Sequence, residues 1–179
     1  MLLPHMKRNF ASLTPQEALH LALRVEQRNG HLYRQFAELF LGFGDSDSLE
    51  IANVFLDLAE EEHRHGDTLL ECYEERFGDA PCAITEDDVH PMIEVPRLPD
   101  GSIFAIARAG AATVPQNHAL EIALSAETSA CRFYSQVVEY TADPDLRSLY
   151  TELGEMEQSH VRMITRRMEF LRRQLPHQA

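Results

Sequence analysis

Leu58 to His65 reads LAEEEHRH, three carboxylates and two imidazoles within a single short run. The usual fate of such a run is a solvated helix face, because glutamate-rich faces mostly just meet water. Its internal spacing argues for more. Glu62 and His65 stand three residues apart, which on a helix places them on one side with about 4.5 Å of rise between them. Glu60 and His63 share that spacing, so the run holds two overlapping Glu-x-x-His pairs. Glu157-x-x-His160 supplies another far along the chain.

Working outward from this stretch, four long segments read as helices. The first opens with TPQE, where Thr14 caps, Pro15 takes the first helical position and Glu17 closes a capping box. It runs to about Leu41, where GFGDSDS breaks it. The second starts near Asp47 or Ser48 and ends at about Phe77, before Gly78. The third runs from near Thr113 to about Thr141. Asp143 then caps and Pro144 opens the fourth, which lasts to about Leu175. Between the second and third lies a stretch rich in proline and acid, with Pro81, Pro91, Pro96 and Pro99. It far exceeds an ordinary helix–helix loop, and its reach is ample to cross a bundle of helices about 42 Å long. A short helix is expected over Ile103 to Ala112. Short loop, long crossover, short loop predicts an all-α, antiparallel four-helix bundle. The expected organisation is one domain, residues 1–179, with a hairpin over 14–77, a crossover over 78–112 and a second hairpin over 113–175.

The hairpins repeat each other. ALHLALRVEQRNGHLYRQFAE (18–38) aligns with ALEIALSAETSACRFYSQVVE (119–139) at eight identical positions of 21, pairing Glu26 with Glu127 and Tyr33 with Tyr134. LAEEEHRH aligns with LGEMEQSH (153–160), pairing Glu62 with Glu157 and His65 with His160. A structural repeat has to preserve only its apolar face, so the polar matches carry the weight. In an antiparallel hairpin, residues equidistant from the turn lie level. Glu26 and Glu62 flank Gly44 equally, and Glu127 and Glu157 flank Ala142 equally. Helical phase puts Glu62 and His65 on a stripe with Val54, Leu58 and Leu69, and places Glu26, Glu127 and Glu157 among leucines and tyrosines. Glu60, Glu61, His63 and Arg64 fall away from that stripe and are expected to face solvent.

Composition narrows the function classes. A net charge of −13 over 179 residues disfavours nucleic acid and anionic membrane as partners. The longest nearly apolar run, Ile103 to Val114, is too short to span a bilayer and contains Arg108. Three cysteines, Cys72, Cys82 and Cys131, form no CxxC pair, which excludes a zinc ribbon or rubredoxin-type iron site in this sequence. The sparse thiols and the absence of a hydrophobic leader in MLLPHMKRNF point to the cytoplasm.

Four buried glutamates without partners would cost on the order of several kcal/mol each, or would take up protons. Two divalent cations remove that penalty, since four carboxylates and two neutral imidazoles around two such ions make a neutral cluster. Oxygen-rich ligation with two imidazoles suits iron or manganese and tolerates zinc. One Glu from each of two helices with Glu-x-x-His from each of the other two is the ligand pattern of di-iron and di-manganese carboxylate bundles.

On Glu26…Tyr33, LAEEEHRH, ETSACRFY (127–134) and EQSH (157–160), the chain resembles the ferritin-like superfamily, and most of all its rubrerythrin-related branch. The resemblance spans nearly everything outside the crossover. It implies that Glu62 and Glu157 bridge two metals, that Glu26 and Glu127 are terminal carboxylates, and that His65 and His160 are the nitrogen ligands. Tyr33 and Tyr134 would hydrogen-bond to ligand carboxylates. Departures stand out. Rubrerythrins proper carry a further glutamate where this chain has Ala130, and an appended rubredoxin domain whose motifs this sequence does not show; both tell against rubrerythrin-style peroxidase turnover. The symmetric set of four glutamates and two histidines resembles bacterioferritin more, but bacterioferritin's haem-ligand methionine would sit at His63. No haem is expected.

The resulting expectation is an iron-binding, oxidoreductase-type di-iron protein that oxidises Fe(II) with O2 or H2O2, working with an electron-donor protein if the iron is re-reduced in place. Two alternatives stay open: a non-catalytic zinc or manganese storage or structural protein, and a hydroxylase on the same scaffold. A homodimer or larger homo-oligomer is expected from the resemblance. Glu94, His118, Glu121, Cys131 and the arginine-rich RRMEFLRR (166–173) are read as having no part in the ligand set.

Overall fold

The computed structural model describes residues 8–85, 88–89 and 113–174. Four long helices build it: α1 (Pro15–Leu41), α2 (Ser46–Phe77), α3 (Thr113–Tyr140) and α4 (Pro144–Gln174). A single 3-10 turn, Phe10–Ser12, precedes them. The fold is an antiparallel four-helix bundle of the ferritin-like type, made of two packed helical hairpins. No helix among the described residues is long and apolar enough to cross a membrane.

Local chemistry sets the helix ends. The Thr14 hydroxyl accepts from the Glu17 amide, and the Glu17 carboxylate accepts from the Thr14 amide at 2.8 Å, so the capping box forms with Pro15 in the first turn. The second helix starts a little earlier than its sequence suggests. Asp45, rather than Asp47 or Ser48, is the cap, accepting from the Ser48 amide at 2.9 Å and the Ser48 hydroxyl at 2.7 Å. Gly44 makes the preceding turn at φ +73°, and Gly78 ends α2 at φ +59°, both left-handed conformations that favour glycine. Asp143 caps α4 by accepting from the amides of Asp145 and Leu146, at 2.9 and 3.1 Å. It also holds Arg76 Nη1 at 2.7 Å, tying the end of α2 to the α3–α4 turn.

The apolar core comes in two halves. At one end Leu19, Leu23, Leu69, Phe133, Tyr134, Leu146 and Tyr150 pack together. At the other end Tyr33, Phe36, Phe40, Phe55, Leu120, Ala123 and Ile164 do so. The first cluster joins the start of α1, the end of α2, the end of α3 and the start of α4. The end of α2 and the start of α3 therefore lie at opposite ends of the bundle, so the crossover has to travel its whole length. Its first part turns back onto the bundle, where Ile84 and Val89 are buried. The Arg8 amide donates to Asp88 O at 2.7 Å and anchors it. The short helix expected over 103–112, and Glu94, lie outside the described residues.

Candidate metal centre

Between the two apolar clusters sits a layer of charge. Glu26, Glu62, Glu127 and Glu157 have no solvent exposure, and His65 and His160 are nearly as buried. Each glutamate comes from a different helix, and the imidazoles come from α2 and α4 one turn beyond Glu62 and Glu157. The repeat thus becomes a pseudo-two-fold arrangement, with both hairpins delivering carboxylates to one depth.

Donor atoms gather in two overlapping groups. In one, Glu26, Glu62, His65 and Glu157 each place a ligand atom within 4.8 Å of the others; in the second, Glu62, Glu127, Glu157 and His160 do the same. Glu62 and Glu157 belong to both. Glu26 with His65, and Glu127 with His160, belong to one each. His65 Nδ1 lies 3.2 Å from Glu26 Oε2, 3.6 Å from Glu157 Oε1 and 3.9 Å from Glu62 Oε2. His160 Nδ1 lies 3.3 Å from Glu62 Oε1, 3.6 Å from Glu127 Oε2 and 4.0 Å from Glu157 Oε1. The two rings stack with centroids 5.9 Å apart.

The tyrosines cross between the hairpins. Tyr33 of α1 donates its hydroxyl to Glu127 of α3 at 2.5 Å, and Tyr134 of α3 donates to Glu26 of α1. Each tyrosine holds the carboxylate of the opposite hairpin and fixes which oxygen points inward. Burial, followed by the neighbouring carboxylates, pushes both phenols well above their ordinary value, so they act as neutral donors.

Chemistry that fits a cation shows in what is left unpaired. Both oxygens of Glu62, both of Glu157, Glu127 Oε2 and His160 Nδ1 are buried without a hydrogen-bond partner. Buried polar atoms are nearly always paired, because stripping them of water is costly. Six orphaned acceptor-capable atoms facing one centre match a site for positive charge. Protonation reports the same stress. Burial and the negative charge of Glu26 push Glu62 well above the usual carboxylate range, while burial with Glu62 and Glu26 does so for Glu157. Burial also works against ionised Glu127, but the neighbouring Glu157 carboxyl, His160 and the Tyr33 hydroxyl outweigh it and hold that carboxyl low. Burial works against the charged form of His160, and the Glu127 and Glu62 carboxylates overcome it, pushing the imidazole up to about 11. Without a cation, protons do the neutralising.

One side chain that meets the charged layer escaped the sequence reading. Glu61, expected to face solvent, keeps nearly half its side chain exposed yet places Oε2 2.7 Å from His160 Nε2. This contact orients the ring so that Nδ1 faces the carboxylates. No periodicity within α2 could reveal it, because the partner sits on α4. The repeat counterpart of Glu61 is Met156, so His65 has no carboxylate from the equivalent position. Of the other side chains considered, His63 is exposed and lies 3.7 Å from Asp67. His118 lies 3.6 Å from Glu121 on the surface. Ala130 is buried in the apolar cluster. Burial pushes the Cys131 thiol up to about 11, away from thiolate chemistry.

The family profile described as Rubrerythrin matches residues 17–168. The chain belongs to the rubrerythrin family. Among curated proteins none matches it. The bundle is similar to a hypothetical protein from Pyrococcus furiosus, with a TM-score of 0.68 and 22% identity over 95% of this chain and 96% of that one. It is also similar to an uncharacterized conserved protein from Magnetospirillum magnetotacticum MS-1, with a TM-score of 0.67 and 21% identity over 88% and 95%. A third similar structure, from Thermotoga maritima, is described as a ferritin-like diiron-carboxylate protein; its TM-score is 0.62 and its identity 20% over 88% and 95%. At these identities the likeness concerns the fold, while the rubrerythrin profile and the buried clusters point to metal binding.

Proposed function

We propose that this rubrerythrin-family chain binds two iron ions and oxidises Fe(II) with O2 or H2O2. The observation that carries the reading is the pair of donor groups sharing Glu62 and Glu157. Shared carboxylates are what two adjacent cations require, and the remaining pairs, Glu26 with His65 and Glu127 with His160, would complete one ion each. When bound, two iron ions supply one electron each to the oxidant. The protein's own part is to hold the donors level, to orient Glu26 and Glu127 through the tyrosine hydroxyls, and to exclude bulk water with an apolar cluster on either side.

The test is anaerobic loading with Fe(II) followed by air. Two Fe(II) per chain and oxidation well above the protein-free rate are expected. Tight uptake of zinc or manganese with no oxidant consumed would replace this reading by a storage or structural role. No uptake of any of these ions would overturn it.

A further inference from the structure

The pseudo-symmetry of the hairpins breaks in the wall between the charged layer and solvent. On the α1–α2 face lies a groove of about 370 Å³ whose lining includes Glu26 and Glu62 themselves, together with Gly30 and Gly66. A Cβ on Gly30 would stand 3.2 Å from Glu62 Cβ, and one on Gly66 would stand 3.9 Å from Glu26 Cβ. At these two points the groove wall beside the stems of two buried carboxylates is glycine backbone without a side chain. In the second hairpin the equivalent positions are Cys131 and Val161. The groove beside Cys131, lined also by Ser135 and Gln158, includes none of the six carboxylate and imidazole side chains.

The rim of the α1–α2 groove is chemically suited to cations. His63 and Asp67 stand on it as an exposed pair 3.7 Å apart. Gln27 and His31 add an amide and an imidazole, and Arg34 contributes the one permanent positive charge among the lining residues. Behind the glycine wall, both oxygens of the fully buried Glu62 are unpaired.

We infer that cations reach the site through the α1–α2 face, passing the Gly30–Gly66 wall, with Asp67 and His63 as the first acceptors. This route rests on the reading that the six side chains bind cations, and the two claims fail in different ways. The glycines cost helix stability at two interior positions. Gly30 lets the two helices close up, and the pair leaves no side chain at these points of the wall, where the opposite groove has the Cys131 thiol and, against Tyr134, Gly154.

Stopped-flow absorption of Co(II) added to the apoprotein separates the claims, because the final amplitude reports the site and the rate reports the route. Asp67→Asn is expected to slow filling by about tenfold, the low end of what charged clefts add to association. Gln27→Trp, which plugs the groove, is expected to slow it as well. Gly66→Ala narrows the same wall with only ordinary contacts for the added Cβ, and is expected to act in the same direction should Gln27→Trp fail to fold. Gln158→Trp, on the opposite face, is expected to fill at the parent rate. All variants are expected to keep the parent's final amplitude. Unchanged rates in the α1–α2 variants, or equal slowing by Gln158→Trp, would overturn the route alone. No Co(II) signal in the parent would overturn the site and the route together.

Discussion

Replacing Glu61 by alanine tests whether the layer between the core halves is a working ligand set. The side chain is not one of the six converging groups, and it meets the site only through His160 Nε2 at 2.7 Å. If His160 offers Nδ1 to a cation, Glu61 fixes the ring's tautomer and orientation, and its loss lowers metal affinity. Outer partners of this kind are worth roughly 10- to 100-fold in affinity. Because the Glu61 side chain keeps 45% of its exposure, solvent screens the contact and the lower end applies. The expected loss is thus about tenfold, equivalent to about 1.4 kcal/mol. Glu61→Gln, which keeps an acceptor but no charge, should fall between parent and Glu61→Ala. Competition titration of Co(II) or Zn(II) against a chelator of known affinity measures all three proteins. Parent-like affinity in Glu61→Ala would refute the assignment of Nδ1 to the cation and the orienting role of Glu61.

Further outcomes follow from the same layer. Metal uptake should expel protons, because Glu62 and Glu157 hold theirs well above the usual carboxylate range and His160 holds its own up to about 11; calorimetry in buffers of different ionisation enthalpy would count them, and affinity should rise with pH. In the metal-free protein the same raised values mean that the folded chain binds more protons than the unfolded one. The stability contributed by these groups is full at low pH and is lost as pH climbs through their raised values, so the apoprotein's Tm should fall as pH rises from about 5 toward 9. Tyr134→Phe removes the donor to Glu26 and leaves a buried carboxylate oxygen unsatisfied, which should destabilise the apoprotein by about 1–3 kcal/mol in urea titrations. Chelation should lower Tm, since free metal at about 100 times Kd contributes roughly 2.7 kcal/mol to the folded state; an unchanged Tm would count against a buried site.

Most of this architecture is legible in the chain because it is written in local rules. The TPQE capping box, the turn glycine Gly44 and the Asp143–Pro144 start act within a few residues, and helical phase places Glu26, Glu62, Glu127 and Glu157 among apolar neighbours. The repeat then brings the hairpins into register. What stayed hidden depends on contacts between helices. Glu61 lies off its own helix's apolar stripe and meets His160 only because α4 passes close by. The Asp45 cap was obscured by Asp47 and Ser48, which offer equally good capping side chains two and three residues on. Gly30 carries no signal within its own helix; its reason is Glu62 of the facing helix, whose Cβ would stand 3.2 Å from an added Cβ. The return of Ile84 and Val89 onto the bundle, fastened by the Arg8 amide, comes from a stretch without periodicity.

The central claim is that Glu62 and Glu157 are shared between two cations. Anomalous diffraction at the iron edge, from crystals grown with Fe(II) under anaerobic conditions, addresses it directly. Two peaks about 3.5–4 Å apart are expected, both flanked by Glu62 and Glu157, one beside Glu26 and His65 and the other beside Glu127 and His160. A lone peak away from these carboxylates, or none with the glutamates still closed on one another, would contradict it.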